Sequence, residues 1–224
     1  MAIGKTAAGL ILAAALWGAD VRFDTRHEHL RKGCAGSVVV TEDGIAFAGP
    51  KKHVWKWKYE DIQELKYAPG RIIVLTYRDN KWKLGADREY EFRGEVPREL
   101  YAIWSAKLDQ RFVAEVAENP AGGWSLPAKH LARVRGTEGV LRFGADRIVY
   151  ETAAKEDSRT WRYQDIAGVS SSGPFQLTIT SFERAKSHYG DRKGFNFQLK
   201  AALHEAKYNQ LWLDIQIKNG RIQR

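Results

Sequence analysis

Apolar positions along this chain alternate in short runs far more often than they recur at helical spacing. In SVVVTEDGIAF (37–47) two β-rich runs flank Glu-Asp-Gly, a hairpin signal, and VLRFGADRIVY (140–150) turns in the same way at Gly-Ala-Asp. RIIVLTY (71–77) reads as a buried strand, while REYEF (88–92) and GFNFQL (194–199) alternate cleanly. Two stretches switch to helical spacing. The first opens at Pro97, a residue suited to a first helical turn, and sets Leu100, Ile103, Trp104 and Leu108 on one face. The second begins at Leu203 and predicts Ala206, Leu211 and Ile215 on its core side, with Leu203 and Trp212 beside them. The pattern predicts a mainly β protein of the α+β kind.

The elements come in two rounds. WKYEDI (57–62) returns as WRYQDI (161–166), GSVVVTEDGIAF (36–47) as GVLRFGADRIVY (139–150), and IIVLTY (72–77) as QLTITS (176–181). EYEF (89–92) matches GFNF (194–197), His29-Leu30 matches His130-Leu131, and each round ends on its helical stretch. The offset drifts only from 101 to 105, so the chain reads as a tandem duplication. The expected boundaries are a first unit over 20–112, a linker over 113–126 built around Asn119-Pro120-Ala121-Gly122-Gly123, and a second unit over 127–224. Phe112 and Val113 are expected to stay in packed structure.

Inside the twin phrase, strand geometry points Trp57 and Tyr59 to one face and Lys58 to the other; Trp161, Arg162 and Tyr163 repeat this. Asp61 and Asp165 stand where the strand is expected to bend, and an aspartate there can bond the backbone. Strand order, the Trp-Lys/Arg-Tyr-x-Asp-Ile phrase and the terminal helix together resemble bacterial tandem pleckstrin-homology-like domains with a GRAM-like pattern. The resemblance covers nearly all of residues 20–224. It implies two tandem pleckstrin-homology-like antiparallel β-barrels, each ending in a C-terminal α-helix. A lipocalin-like barrel is the competing architecture, and its single closed unit fits the internal repeat poorly.

Residues 1–19 read as a secretory signal peptide. Lys5 precedes a 13-residue apolar run from Ala7 to Ala19, too short to cross a bilayer as a helix and rich in small residues where cleavage would fall. The expectation is export to the periplasm or beyond. The aromatic content (8 Trp, 9 Tyr, 9 Phe) excludes a disordered chain. The net charge of +9 is spread, with 18 basic and 15 acidic residues over 20–112 and 17 and 12 over 113–224. Such a charge favours anionic surfaces without choosing among lipid, polysaccharide and nucleic acid, and export argues against nucleic acid.

Catalytic patterns fail one by one. His27-Glu28-His29 lacks the second histidine of HExxH, since Arg31 stands there; His27 and His29 share a strand face, but two ligands are too few for a metal. Cys34, the one cysteine, follows Arg31 and Lys32, which would lower its pKa, yet no base signature accompanies it. The run SSSG (170–173) is a loop signal without a nucleophile elbow, and no glycine-rich phosphate loop is present. No catalytic residue, metal or cofactor is therefore assigned.

Binding residues have more support. The resemblance implies a basic loop after the first strand of each unit, which falls here on Arg31 and Lys32 and on Arg133 and Arg135. A second basic stretch carries Lys51, Lys52, Lys56 and Lys58 interleaved with His53, Trp55 and Trp57. Ammonium groups beside indoles suit an anionic membrane surface, whereas packing of the tryptophans in the core would leave only a solvated basic loop. The expected function is a non-catalytic binding or scaffold protein of the bacterial envelope that holds a protein, peptide or glycan. The alternatives are a peripheral binder of anionic lipid headgroups and an enzyme with a site between the units.

Overall fold

The computed structural model describes residues 20–29, 33–50, 53–80, 85–132, 135–154, 157–185 and 190–223. The region read as a signal peptide lies outside the described residues. The first half comprises β1 (Val21–His27), β2 (Cys34–Val40), β3 (Gly44–Ala48), β4 (Val54–Lys58), β5 (Ile62–Ala68), β6 (Arg71–Asp79), β7 (Asp87–Arg93) and α1 (Glu99–Lys107). A short β8 (Phe112–Ala114) comes next. The second half repeats the series as β9 (Trp124–Leu131), β10 (Thr137–Phe143), β11 (Arg147–Thr152), β12 (Arg159–Arg162), β13 (Ile166–Ser170), β14 (Gln176–Arg184), β15 (Arg192–Leu199) and α2 (Glu205–Lys218).

The protein is mainly β, and its strands form one large open sheet rather than two closed barrels. Within that sheet the two halves have the same internal order. Strands run β5-β6-β7-β1-β2-β3-β4 in the first and β13-β14-β15-β9-β10-β11-β12 in the second. Among the described residues no pairing joins β4 to β5 or β12 to β13, so the expected closure is absent. The twin phrase supplies the physical reason. It ends its strand in a 3₁₀ turn, Tyr59–Asp61 or Tyr163–Asp165, which sends the chain round a corner. Asp61 accepts from the Lys58 backbone N–H at 3.1 Å and Asp165 from that of Arg162 at 3.2 Å, so each aspartate caps the turn it closes. The aspartate role expected from the sequence holds, with a helical turn in place of a simple bend.

β8, which straddles the expected boundary between the first unit and the linker, joins the halves. It lies parallel to β5, pairing Leu65 with Phe112, and antiparallel to β12, pairing Thr160 with Ala114. Every other strand pair among the described residues is antiparallel. Arg162 adds a second seam. Its guanidinium grips Asp165 and donates across the boundary to the carbonyls of Ser105 (2.7 Å) and Asp109 (2.8 Å). Lys58, its counterpart, stays exposed beside Glu60. The repeated phrase thus became an interface device in the second copy only.

Two apolar cores fill the halves. The first gathers Phe47, Trp57, Tyr90, Phe92 and the α1 residues Leu100 and Trp104; the second gathers Phe143, Trp161, Phe195, Phe197 and the α2 residues Leu211 and Ile215. Two expectations for α2 are corrected, because Ala206 and Trp212 both face solvent. The buried face runs Tyr208, Leu211, Ile215 at spacings of three and four, and Ala206 falls off that phase.

Candidate functional site

The register of the sheets decides which residues of the two halves are equivalent. His27 faces Cys34 on β2 and Phe92 on β7; His130 faces Thr137 on β10 and Phe197 on β15. His130 is therefore the twin of His27, not of His29 as the sequence suggested. Both rings pack on the matching phenylalanine, at 5.2 Å in the first half and 5.1 Å in the second. The offset that aligns Trp57 with Trp161 also aligns His53 with Asp157, each just ahead of the last strand of its meander. A polar trio thus occupies the same place in both halves: His27, Cys34 and His53 in one, His130, Thr137 and Asp157 in the other.

The second trio is closed on itself. His130 Nδ1 lies 3.2 Å from Asp157 Oδ2, the Thr137 hydroxyl donates to the same oxygen, and the Tyr150 hydroxyl donates to the Thr137 carbonyl at 2.7 Å. The first trio is arranged differently. His27 uses Nδ1 on the Glu91 carbonyl (3.1 Å), and burial, reinforced by His29, His53 and Arg88, lowers its pKa despite that bond. His53 Nδ1 meets Cys34 Sγ at 3.0 Å. His29, two residues past β1, completes a new group: one ligand atom each from His29, Cys34 and His53 lie within 4.8 Å of one another. The His27–His29 pairing considered from sequence is thus replaced by His29 with Cys34 and His53, and His27 stands behind them.

Trp55 is the wall of this site. It stacks on His53 (5.4 Å, 20°) and on Phe47 (5.5 Å, 18°), and His27 meets it edge-on at 4.8 Å. Its indole is half-buried and packed between rings. Burial pushes the Cys34 thiol pKa up, against smaller opposing effects of a backbone hydrogen bond and of Arg26; Arg31 and Lys32, expected from the sequence to lower it, lie outside the described residues.

Of the other sequence-predicted binding residues, Lys56 and Lys58 lie exposed together on β4, beside Trp55. Arg135 is exposed in the other half, ahead of β10. Arg31, Lys32, Lys51, Lys52 and Arg133 lie outside the described residues.

β4 itself is unusual among the edges. A duplicated seven-stranded unit makes four end strands, and β5 and β12 are joined through β8. β13 is covered by the C-terminal segment: Asn219, Tyr208 and Arg221 donate to the carbonyls of Ile166 (3.3 Å), Val169 (3.2 Å) and Ala167 (2.8 Å). β4 alone lacks such cover among the described residues. Gly49 donates to the His53 carbonyl and Tyr59 to that of Asp43, which fixes the alternation of the β3–β4 ladder. Trp55 and Trp57 then turn their backbone groups toward β3, and Val54 and Lys56 turn theirs outward. Val54 is 62% exposed.

A groove of about 310 Å³ runs between the halves, lined by Gln63, Arg111, Phe182, Arg184 and Arg192 among others, with no Ser, Cys or His among its described lining residues. Two of its arginines are engaged: Arg111 donates to the carbonyls of Tyr59 (2.9 Å) and Ile62 (2.8 Å), and Arg184 to Gln63 (3.2 Å) and to Asp87.

No family model and no curated protein matches the chain. Among solved structures, that of the Spt16D–Pob3N heterodimer is similar at 15% identity and a TM-score of 0.31, covering 76% of this chain and 87% of that one. The C-terminal domain of an unknown protein from Leishmania infantum is similar at 11% identity and a TM-score of 0.30, covering 52% of this chain and 95% of that one. Likenesses this weak carry no argument about function.

Proposed function

We propose that this chain is a non-catalytic, exported binding protein built from two pleckstrin-homology-like halves, and that it holds an extended acidic protein segment along β4. The uncovered edge of β4 is the observation that carries the reading. Natural sheets cover, charge or shorten their edges, and among the described residues the other three ends are joined or capped while β4 is left open. An added strand would take the outward backbone groups of Val54 and Lys56, and Lys56 and Lys58 would select for acidic residues. Among the described residues the cores are filled with side chains, and the groove between the halves has no serine, cysteine or histidine in its lining, its carboxylates being Glu64 and Asp191. The packed position of Trp55 weighs against the lipid reading.

The test is a panel of extended peptides, acidic against basic, offered to the full chain at low and moderate salt. Acidic peptides are expected to bind, to weaken as salt rises, and to slow amide exchange at Val54 and Lys56. Lys56→Glu with Lys58→Glu is expected to lower affinity at least tenfold, about 1.4 kcal/mol. Val54→Pro removes one outward donor without touching the β3 ladder, so it should abolish binding in a folded protein. Protection that appears elsewhere, or affinity that survives the charge reversal, would refute the reading. So would preference for anionic vesicles over every peptide.

A further inference from the structure

We propose that His29, Cys34 and His53 form a zinc-class metal site, which takes one divalent ion through two imidazole nitrogens and one thiolate and leaves one coordination position open. The three donors converge from separate pieces of chain. His29 comes just after β1, Cys34 opens β2, and His53 closes the β3–β4 hairpin, held there by the Gly49-to-His53 hydrogen bond (2.8 Å). Their donor atoms lie within 4.8 Å of one another. A tetrahedral ion with bonds of about 2.0–2.1 Å to nitrogen and 2.3 Å to sulfur needs donors roughly 3.3–3.6 Å apart. The 3.0 Å contact between Cys34 Sγ and His53 Nδ1 must therefore open slightly, and the exposed His29 supplies the third donor from within 4.8 Å. His29 and His53 both stand outside the strands.

The donor set selects the ion. One thiolate with imidazoles suits zinc and its neighbours, whereas magnesium and calcium demand oxygen. The surroundings favour a fixed geometry, since Trp55 stacks on His53 and His27 and Phe47 close the inner side. In chemical balance, the ion replaces the proton between Cys34 Sγ and His53 Nδ1. The sulfur–metal bond forms as the S–H bond breaks, and that proton leaves to solvent. The second half provides an internal contrast. At the same place Thr137 and Asp157 are bonded to each other and to His130, and no thiol is present. The proposal does not depend on what β4 binds.

Cobalt titration of the full, reduced chain tests it, with Co²⁺ standing in for Zn²⁺. The expected result is one equivalent bound, tetrahedral d–d bands, a sulfur-to-cobalt charge-transfer band, and loss of both when Zn²⁺ is added. Cys34→Ser should erase the charge-transfer band, and His29→Gln and His53→Gln should each weaken binding at least tenfold. His130→Gln and His204→Gln should leave the titration unchanged. Near-ultraviolet circular dichroism confirms that each variant is folded. An octahedral cobalt spectrum in the parent chain, a charge-transfer band that survives Cys34→Ser, or a titration abolished by His130→Gln or His204→Gln would overturn the proposal.

Discussion

Replacing Glu115 by alanine is expected to lower the unfolding free energy by roughly 3–5 kcal/mol, the cost of breaking a buried ion pair. Glu115 stands just past β8 and is almost fully buried where the halves meet. Arg71 of β6 donates to one carboxylate oxygen at 2.6 Å. Arg159 of β12 lies 2.7 Å from the other, close enough for strong attraction although that N–H is not aimed at the oxygen. One carboxylate therefore neutralises a cation from each half. Without it, the buried Arg159 is left to the charges of Glu183 and Asp157, and Arg71 loses its 2.6 Å partner. Burial alone would raise the Glu115 pKa, but Arg159 and Arg71 together hold it below the usual carboxylate range. A depressed folded pKa contributes stability that is complete above the unfolded value of about 4.3 and is lost as pH falls through the folded value. Urea unfolding at neutral pH should show the full loss for Glu115→Ala, and the parent and variant curves should converge toward low pH. A loss below about 1 kcal/mol would mean that solvent already screens the cluster, as at a surface pair.

The same region shows where the sequence stops being readable. Hairpins, the repeat and the α1 face were legible because each rests on local spacing. β8 was not, since three residues between Arg111 and Glu115 carry no period, and their pairing is set by what β5 and β12 leave unpaired. The open sheet was hidden for a related reason. Whether a bent sheet closes depends on where a 3₁₀ corner sends the next strand, and WKYEDI records the corner without recording the direction. The histidines show a subtler limit. His27 and His29 both offer themselves as twins of His130, and only the β1–β7 and β9–β15 registers choose His27. In the sequence His53 stands merely within a basic stretch. It meets Cys34 through the β2–β3–β4 meander, 19 positions away. One signal was available: the offset that aligns the tryptophans sets His53 against Asp157, a polar residue at the same place in each copy.

That aligned pair of tryptophans carries the other large effect. Trp57→Ala and Trp161→Ala are each expected to cost about 3–5 kcal/mol, since a fully buried indole leaves a cavity that rigid strands cannot fill. Trp57 is 1% exposed and packs 4.7 Å from Tyr90; Trp161 is 2% exposed and packs 4.8 Å from Phe195. Phenylalanine at either position should cost far less than the lost ring area suggests. Both indole N–H groups are buried without a hydrogen-bond partner among the described residues, and removing such a group returns about 1–3 kcal/mol of desolvation. Urea unfolding followed by far-ultraviolet circular dichroism separates the two substitutions at each site. The double alanine variant then asks how independent the halves are. Each tryptophan belongs to its own core cluster, so the losses should add to within about 0.5 kcal/mol. A departure above about 1 kcal/mol would mean that strain in one core reaches the other, with β8, Arg162 and the Arg71–Glu115–Arg159 cluster as the connections that carry it. Adding Glu115→Ala to the double variant locates the route, because a coupling carried by that cluster must vanish with it.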